Sequence, residues 1–192
     1  MLVGKKVRIR AMEESDIKKI LEWMNDPEIT ELLGTRLPIS QSEQKQWYEH
    51  TINDKSKKKM IIENVGGEPI GQISLMNIDQ RNQSVEIGIT IGDKSYWGQG
   101  MGYDAMFTLL GFVFHEWRFH RVYLHVASFN ERAIKLYEKL GFKKDGILRD
   151  NIYTRNRYYD SLVMSILKPE FDDHYGYERL SEHNEDSNYS ST

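Results

Sequence analysis

Cysteine is absent from the 192 residues, and proline occurs only four times. The lack of cysteine excludes disulfides, thiolate catalysis and cysteine-ligated metals. No apolar run approaches the ~20 residues that a membrane span needs, and no apolar stretch follows Lys5 and Lys6 as it would in a signal peptide. Because this length is typical of one domain, we expect a single domain. The lack of a membrane span and of a signal peptide leads us to expect a cytoplasmic protein.

Sequence signatures of metal and nucleic-acid binding are also missing. The six histidines include no pair four residues apart, and there is no His-Glu-x-x-His sequence. Lysine and arginine form no dense patch with interleaved aromatics, which is the pattern that favours nucleic acid. We therefore expect no metal, no nucleic-acid partner and no membrane partner.

Acidic charge is concentrated at the end of the chain. Residues 170–192 contain seven acidic residues and one basic residue, whereas the whole chain carries a net charge of −3. This polar segment is poor in aliphatic residues, which predicts a flexible tail after a domain that spans residues 1–169. The mildly basic remainder suits a small polyanionic ligand.

Hydrophobic periodicity and turn residues predict a mixed α/β (α+β) fold. Strands are expected at 2–12, 59–65, 69–77, 84–91, 122–126, 142–149 and 158–167, and helices at 15–24, 40–53, 101–117 and 128–140. This order predicts a central, mostly antiparallel sheet of about seven strands, flanked by about four helices.

The most informative segment is Tyr96-Trp97-Gly98-Gln99-Gly100-Met101-Gly102, between a predicted strand and a long helix. Glycine allows a tight turn and close approach of the backbone to a ligand, and a helix N-terminus attracts phosphate. The spacing matches neither the dinucleotide fingerprint nor the P-loop. Taken alone, the segment could bind a pyrophosphate or simply form a tight strand-to-helix turn.

Two motifs together resemble the GNAT superfamily of acyl-CoA-dependent N-acetyltransferases. The family loop reads Gln/Arg-x-x-Gly-x-Gly/Ala; Gly100 and Gly102 take the glycine positions, and Trp97 replaces the usual Gln/Arg. The second motif is Asn-Glu-Arg-Ala-Ile-Lys-Leu-Tyr-Glu-Lys-Leu-Gly-Phe at 130–142. The resemblance runs from about Val7 to Leu167. It implies one GNAT-type domain that uses acetyl-CoA and needs no metal, and it weakly favours a homodimer.

The resemblance also implies the residues that hold acetyl-CoA. One strand of the family splays from its neighbour and pairs with the pantetheine arm, while the loop amides bind the phosphates. The implied set is Ile89, Thr90, Ile91, Trp97, Gly98, Gln99, Gly100, Met101, Gly102, Asn130 and Ala133. Asn130 could instead cap the following helix, but Ser128 with Glu131 has capping-box spacing, which would leave Asn130 for the cofactor.

Acetylation of an amine requires a base. An alkyl ammonium with a pKa near ~10.4 costs roughly 4–5 kcal/mol to deprotonate at pH 7. Glu86, on the strand before the loop, is our candidate base or water relay, since some GNAT enzymes carry a glutamate at a matching position. It could also bind the acceptor's charge or play a structural part. Tyr137 is implied as the acid for the departing thiolate, with a half-buried core role as the alternative.

The acceptor amine is not fixed by these motifs. The chain resembles ribosomal-protein N-terminal acetyltransferases and their relatives that act on polyamines and amino sugars. We expect a small amine (polyamine, amino sugar or amine antibiotic), with Glu28, Glu31, Trp47 and Tyr48 as candidate acceptor-binding residues. The alternatives are acetylation of a protein N-terminus, perhaps ribosomal in origin, and a non-catalytic coenzyme A sensor.

Overall fold

One sheet of eight strands organises the part of the protein that the structure describes. The computed structural model describes residues 1–34 and 37–176. The strands are β1 (Leu2–Val3), β2 (Val7–Ala11), β3 (Lys58–Asn64), β4 (Pro69–Asp79), β5 (Ser84–Ile91), β6 (Arg121–Ala127), β7 (Lys143–Thr154) and β8 (Arg157–Leu167). Their order is β1-β2-β3-β4-β5-β6-β8-β7, and only β5 and β6 pair in parallel. The mixed α/β prediction is confirmed, with one strand more than expected.

Helices cover both faces of the sheet. They are α1 (Ile17–Met24), α2 (Pro27–Leu32), α3 (Gln41–Asn53), α4 (Met101–Gly111) and α5 (Glu131–Lys139). The predicted capping box of Ser40 and Glu43 opens α3, while Asp26 caps α2 ahead of its first-turn proline. The long helix predicted at 101–117 is α4 followed by one π-helical turn, Phe112–Glu116. In the described ranges, no helix has the length and apolarity needed to cross a membrane.

The extra strand arises at Gly4, which divides the predicted first strand into β1 and β2. The Asp104 carboxylate, in the first turn of α4, accepts hydrogen bonds from the backbone N–H groups of Lys5, Lys6 and Val7. A Cβ at Gly4 would lie 2.4 Å from Asp104 Oδ2, so only glycine lets the backbone approach this carboxylate. The start of the chain is thereby fixed to the N-terminal end of α4.

Two hydrophobic clusters occupy opposite faces of the sheet. Ile61 and Ile62 are both 0% exposed, and their neighbouring positions on β3 send them to different faces. Ile62 belongs to the larger core with α4, whereas Ile61 belongs to a smaller cluster with α1. In that smaller cluster Trp23 lies against Gly92, where a Cβ would come within 2.1 Å of the indole.

The folded part continues beyond the boundary predicted at residue 169. Residues 168–176 are helical, Phe171 is 0% exposed and Tyr175 is 8% exposed, and both belong to the larger core. The Tyr175 hydroxyl lies 3.1 Å from the Tyr103 hydroxyl of α4. The acidic composition concealed these two aromatics, so a flexible tail from residue 170 was the wrong expectation for this part. The rest of the predicted tail, 177–192, lies outside the described residues.

Candidate active site

The sheet opens between β5 and β6. Strand β5 pairs with β4 over most of its length, but it pairs with β6 only where Ser84–Glu86 meets Arg121–Tyr123. Beyond that point β6 pairs with β8 alone. The edge of β5 from Ile87 onward therefore faces a gap in which an extended amide chain could pair with the backbone. The splay implied by the GNAT resemblance is present.

Backbone direction along β5 determines which predicted residues serve this gap. The Ile91 carbonyl points away from β4 and accepts a 2.8 Å hydrogen bond from Trp97 Nε1. Successive residues of a strand direct their backbone groups to opposite sides, so Ile89 also faces the gap, whereas the backbone groups of Thr90 face β4. Among the three predicted strand residues, the free backbone groups are thus those of Ile89 and the N–H of Ile91.

A cavity of about 570 Å³ follows the gap toward α4 and α5. Its walls include the predicted cofactor residues Ile89, Thr90, Ile91, Trp97, Gly98, Gly100, Met101, Gly102, Asn130 and Ala133. Gln99 does not line it: its side chain donates to the Ser95 carbonyl, and its own carbonyl accepts from Lys6 Nζ. Ten of the eleven predicted residues therefore meet around one cavity.

The glycine loop is built for an anion. Gly98 and Gly100 have φ values of +76° and +82°, which side chains rarely adopt, and Gly100 is the N-cap of α4. The first N–H groups of α4 and the positive end of its dipole therefore lie at the cavity wall. Acetyl-CoA carries a diphosphate, which suits this helix end, and amide groups in its pantetheine arm, which suit the free backbone of β5. Among the described residues, no group of three or more potential metal ligands occurs.

Asn130, rather than Ser128, is the N-cap of α5. Its side-chain oxygen accepts a 3.2 Å hydrogen bond from the backbone N–H of Ala133. The expectation that Ser128 would cap the helix and release Asn130 was therefore wrong. Both residue types are good caps, and the helix begins at Glu131, directly after Asn130. Asn130 still lines the cavity while it performs this structural function.

Glu86 lies at the point where the two strands separate. Its Oε1 atom lies 3.1 Å from His125 Nδ1, and its Oε2 atom accepts a 2.7 Å hydrogen bond from Asn77 Nδ2. The Glu86 side chain is only 16% exposed, whereas His125 is 38% exposed and lines the cavity. Glu86 itself does not line the cavity, but its hydrogen-bond partner His125 does.

Sequence reasoning missed His125. The signal that could have identified it is strand alternation. Val122, Leu124 and Val126 are buried on one face of β6, so His125 must point to the other, on the same side as Glu86 of β5.

Tyr137 lies on α5 at the inner wall of the cavity. It is 7% exposed and packs against Phe142. Burial raises the pKa of the Tyr137 phenol to about 12, because the phenolate would lose its hydration. The side chain therefore remains a neutral hydroxyl donor at physiological pH, as an acid requires.

The four predicted acceptor-binding residues do not line this cavity. Glu28 binds Lys94 Nζ at 3.0 Å, and Glu31 binds Arg155 Nε, a hydrogen bond that lowers the pKa of Glu31. Trp47 and Tyr48 pack against the smaller cluster around Trp23. The corresponding cavity wall is instead formed by residues that sequence reasoning missed: Met24, Ile29, Leu32, Leu33, Met76, Asn151, Ile152 and Ser161.

Comparisons with known proteins agree with this geometry. The acetyltransferase (GNAT) domain model matches residues 6–143. The chain is 30% identical to the uncharacterized N-acetyltransferase p20 of Bacillus licheniformis, over 88% of this chain and 97% of that protein. It is 27% identical to the spermidine N(1)-acetyltransferase of Vibrio cholerae, with the same coverage. A crystal structure of the Vibrio cholerae spermidine N-acetyltransferase with CoA and spermine has a TM-score of 0.81, at 28% identity, covering 86% of this chain and 97% of that chain. The chain belongs to the GNAT family of acetyltransferases and uses acetyl-CoA as co-substrate.

Proposed function

We propose that this acetyltransferase transfers the acetyl group to the primary amine of a small molecule, in the class of polyamines, amino sugars and amine antibiotics. The observation that carries the proposal is the position of the Glu86–His125 pair and Tyr137 around the one cavity that follows the opened sheet. Similarity to a spermidine acetyltransferase over nearly all of that protein supports a small amine as acceptor.

Different parts of the cavity would bind different parts of the two substrates. The loop 98–102 and the start of α4 would hold the diphosphate, and the backbone of Ile89 with Asn130 would hold the pantetheine arm. Acetyl-CoA supplies the activated acetyl group as a thioester. The acceptor would lie against the apolar wall formed by Met24, Leu33 and Ile152.

The side chains around the cavity would carry out two proton transfers. An amine that attacks the thioester carbon must lose a proton, which the Glu86–His125 pair receives because its carboxylate accepts from the imidazole and the imidazole borders the cavity. When the carbon–sulfur bond breaks, the Tyr137 hydroxyl donates a proton to the thiolate. Burial keeps that hydroxyl protonated until far above neutral pH.

The test is a panel of polyamines, amino sugars, aminoglycosides and N-terminal peptides, incubated with acetyl-CoA while free thiol is measured. Glu86→Gln and Tyr137→Phe should each lower kcat by about 100-fold or more, the usual scale of general acid–base catalysis, with CoA affinity retained. Glu138→Gln and Tyr153→Phe make the same chemical changes at exposed positions outside the cavity and should leave kcat unchanged.

The outcomes separate the possible functions. Turnover of a small amine that is lost in the Glu86 and Tyr137 variants supports the proposal. Turnover of N-terminal peptides alone would place the acceptor on a protein, and CoA binding without turnover of any amine would identify a sensor. Either result would overturn the small-amine proposal.

A further inference from the structure

Trp97 forms a fixed aromatic platform at the cavity wall. Its indole Nε1 donates to the Ile91 carbonyl at 2.8 Å, and the ring packs against the smaller hydrophobic cluster. A hydrogen bond at one edge and core packing at another restrict rotation of the side chain. The ring thus has a defined position beside the glycine loop.

The guanidinium of Arg132 lies over this ring. Its central carbon is 4.0 Å from the ring centroid, a cation–π contact that lets the planar group stack while its N–H donors point outward. Arg10, Arg121 and Arg155 instead pair with Asp16, Asp145 and Glu31. Among the described residues, no carboxylate lies within 4.0 Å of the Arg132 guanidinium. Its charge is therefore available to a ligand.

The surroundings of Arg132 favour an anionic ligand. Arg132 lies in the first turn of α5 and lines the same cavity as Gly98 and Gly100, which precede α4. Two helix N-termini and one arginine therefore line the same cavity. A helix N-terminus attracts negative charge, and a guanidinium is the side chain best suited to bidentate recognition of phosphate.

We propose that Arg132, supported by the Trp97 ring, binds the diphosphate of coenzyme A, and that Trp97 is the residue that positions it. This inference rests on the proposed function, because it assigns a ligand group within the same cavity. It also explains how a tryptophan can stand where the family loop usually has Gln or Arg: the polar group comes from Arg132 of α5.

Calorimetric titration of CoA and dephospho-CoA into the wild type and its variants tests the inference without turnover. Both ligands carry the diphosphate, but only CoA carries the 3′-phosphate. Arg132→Ala should weaken both ligands equally, by about 10- to 100-fold, the scale of a lost charge-assisted hydrogen bond. Arg132→Lys should recover part of the loss. Lys135→Ala removes the same charge from the next turn of α5, outside the cavity, and should change neither affinity by more than about twofold.

The platform is tested by a double-mutant cycle. Trp97→Leu should reproduce part of the Arg132→Ala loss, and the double variant should bind no more weakly than Arg132→Ala alone, since both changes remove one interaction. Wild-type affinity in a folded Trp97→Leu protein would overturn the positioning role. Arg132 is exposed, so its own variants remain informative even if the tryptophan variant does not fold.

Three further results have separate meanings. Unchanged affinity of Arg132→Ala for both ligands would overturn the inference and leave the proposed function intact. A loss seen with CoA but not with dephospho-CoA would move Arg132 to the 3′-phosphate and overturn the diphosphate assignment. If the wild type bound neither ligand, the proposed function would fail together with the inference.

Discussion

His125 Nδ1 lies 3.1 Å from Glu86 Oε1 at the last point where β5 and β6 are held together. Beyond Glu86 the two strands separate, so this side-chain contact lies where the gap begins. A second donor, Asn77 Nδ2, holds the other carboxylate oxygen. The carboxylate is thus oriented from two strands, and of these two partners His125 lines the cavity whereas Asn77 does not.

The first prediction concerns His125. His125→Leu should lower kcat by about 10- to 100-fold, because the cavity loses the group that links it to Glu86. His125→Asn should retain more activity, since its amide nitrogen can still donate to the carboxylate. The measurement is steady-state kinetics with whichever amine the panel identifies. His50→Leu, at an exposed position of α3, is the control, and a wild-type kcat in His125→Leu would contradict the relay.

The second prediction concerns pH and Tyr137. The pKa of this phenol rises from 10.0 in the unfolded chain to about 12 in the folded protein. Between these values the folded state holds a proton that the unfolded state has lost, so stability is full below pH ~10 and falls as the pH rises toward 12. The slope should approach ~1.4 kcal/mol per pH unit.

Urea unfolding at several pH values between 9 and 12 measures this slope. Tyr137→Phe has no proton to lose at this position, so its stability should fall less steeply. The other titrating groups are common to both proteins and cancel in the comparison. Parallel curves for the two proteins would show that the Tyr137 phenol is not desolvated.

The third prediction concerns Asp104, which accepts from three backbone N–H groups of the N-terminal segment. Asp104→Ala should lower the free energy of unfolding by about 2–4 kcal/mol, because the buried N–H of Val7 and the partly buried N–H groups of Lys5 and Lys6 lose their acceptor. CoA affinity should also fall, since the carboxylate lies in the first turn of the helix that follows the glycine loop. Asp173→Ala removes an exposed carboxylate and is the control for denaturant unfolding. Unchanged stability in Asp104→Ala would contradict the anchoring role.

The fourth prediction concerns the helical segment that begins at residue 168. Phe171 is fully buried against Phe107 and Phe114, so Phe171→Ala should cost about 3–5 kcal/mol. A chain ending at residue 169 should lose at least as much, because Tyr175 is removed as well. His174→Ala, on the exposed side of the same segment, should behave like the wild type. Equal unfolding midpoints for the shortened and full chains would show that the segment adds nothing to the core.

Local signals in the sequence predicted most of the fold. The Ser40–Glu43 capping box, the glycines of the loop and the alternation along β5 each specify structure through neighbouring residues. The same locality explains the choice of Ser128 over Asn130 as the cap. Both residues can cap a helix, and the backbone of the β6–α5 connection decides which of them precedes the first helical residue.

Contacts between distant residues could not be predicted in this way. Glu28 and Glu31 are neighbouring carboxylates in the sequence, but Lys94 and Arg155, which neutralise them, come from other parts of the chain. Likewise, His125 comes within hydrogen-bond distance of Glu86 only because β6 lies beside β5. The candidate acid and base were identified through family resemblance, whereas the wall at Met24, Leu33 and Ile152 arises from tertiary packing alone.

In the proposed binding mode, the three-residue pairing of β5 with β6 assigns cofactor affinity and acyl selectivity to different groups of the protein. The backbone amides in the gap beyond it would pair with the amide groups of the pantetheine arm. They would not contact the acyl group at the end of that arm. Different acyl thioesters of coenzyme A should therefore anchor with similar strength. The side chains that surround the reacting carbon would then select acetyl over a longer acyl chain. Substitutions there should change the accepted acyl length without weakening the binding of the pantetheine arm.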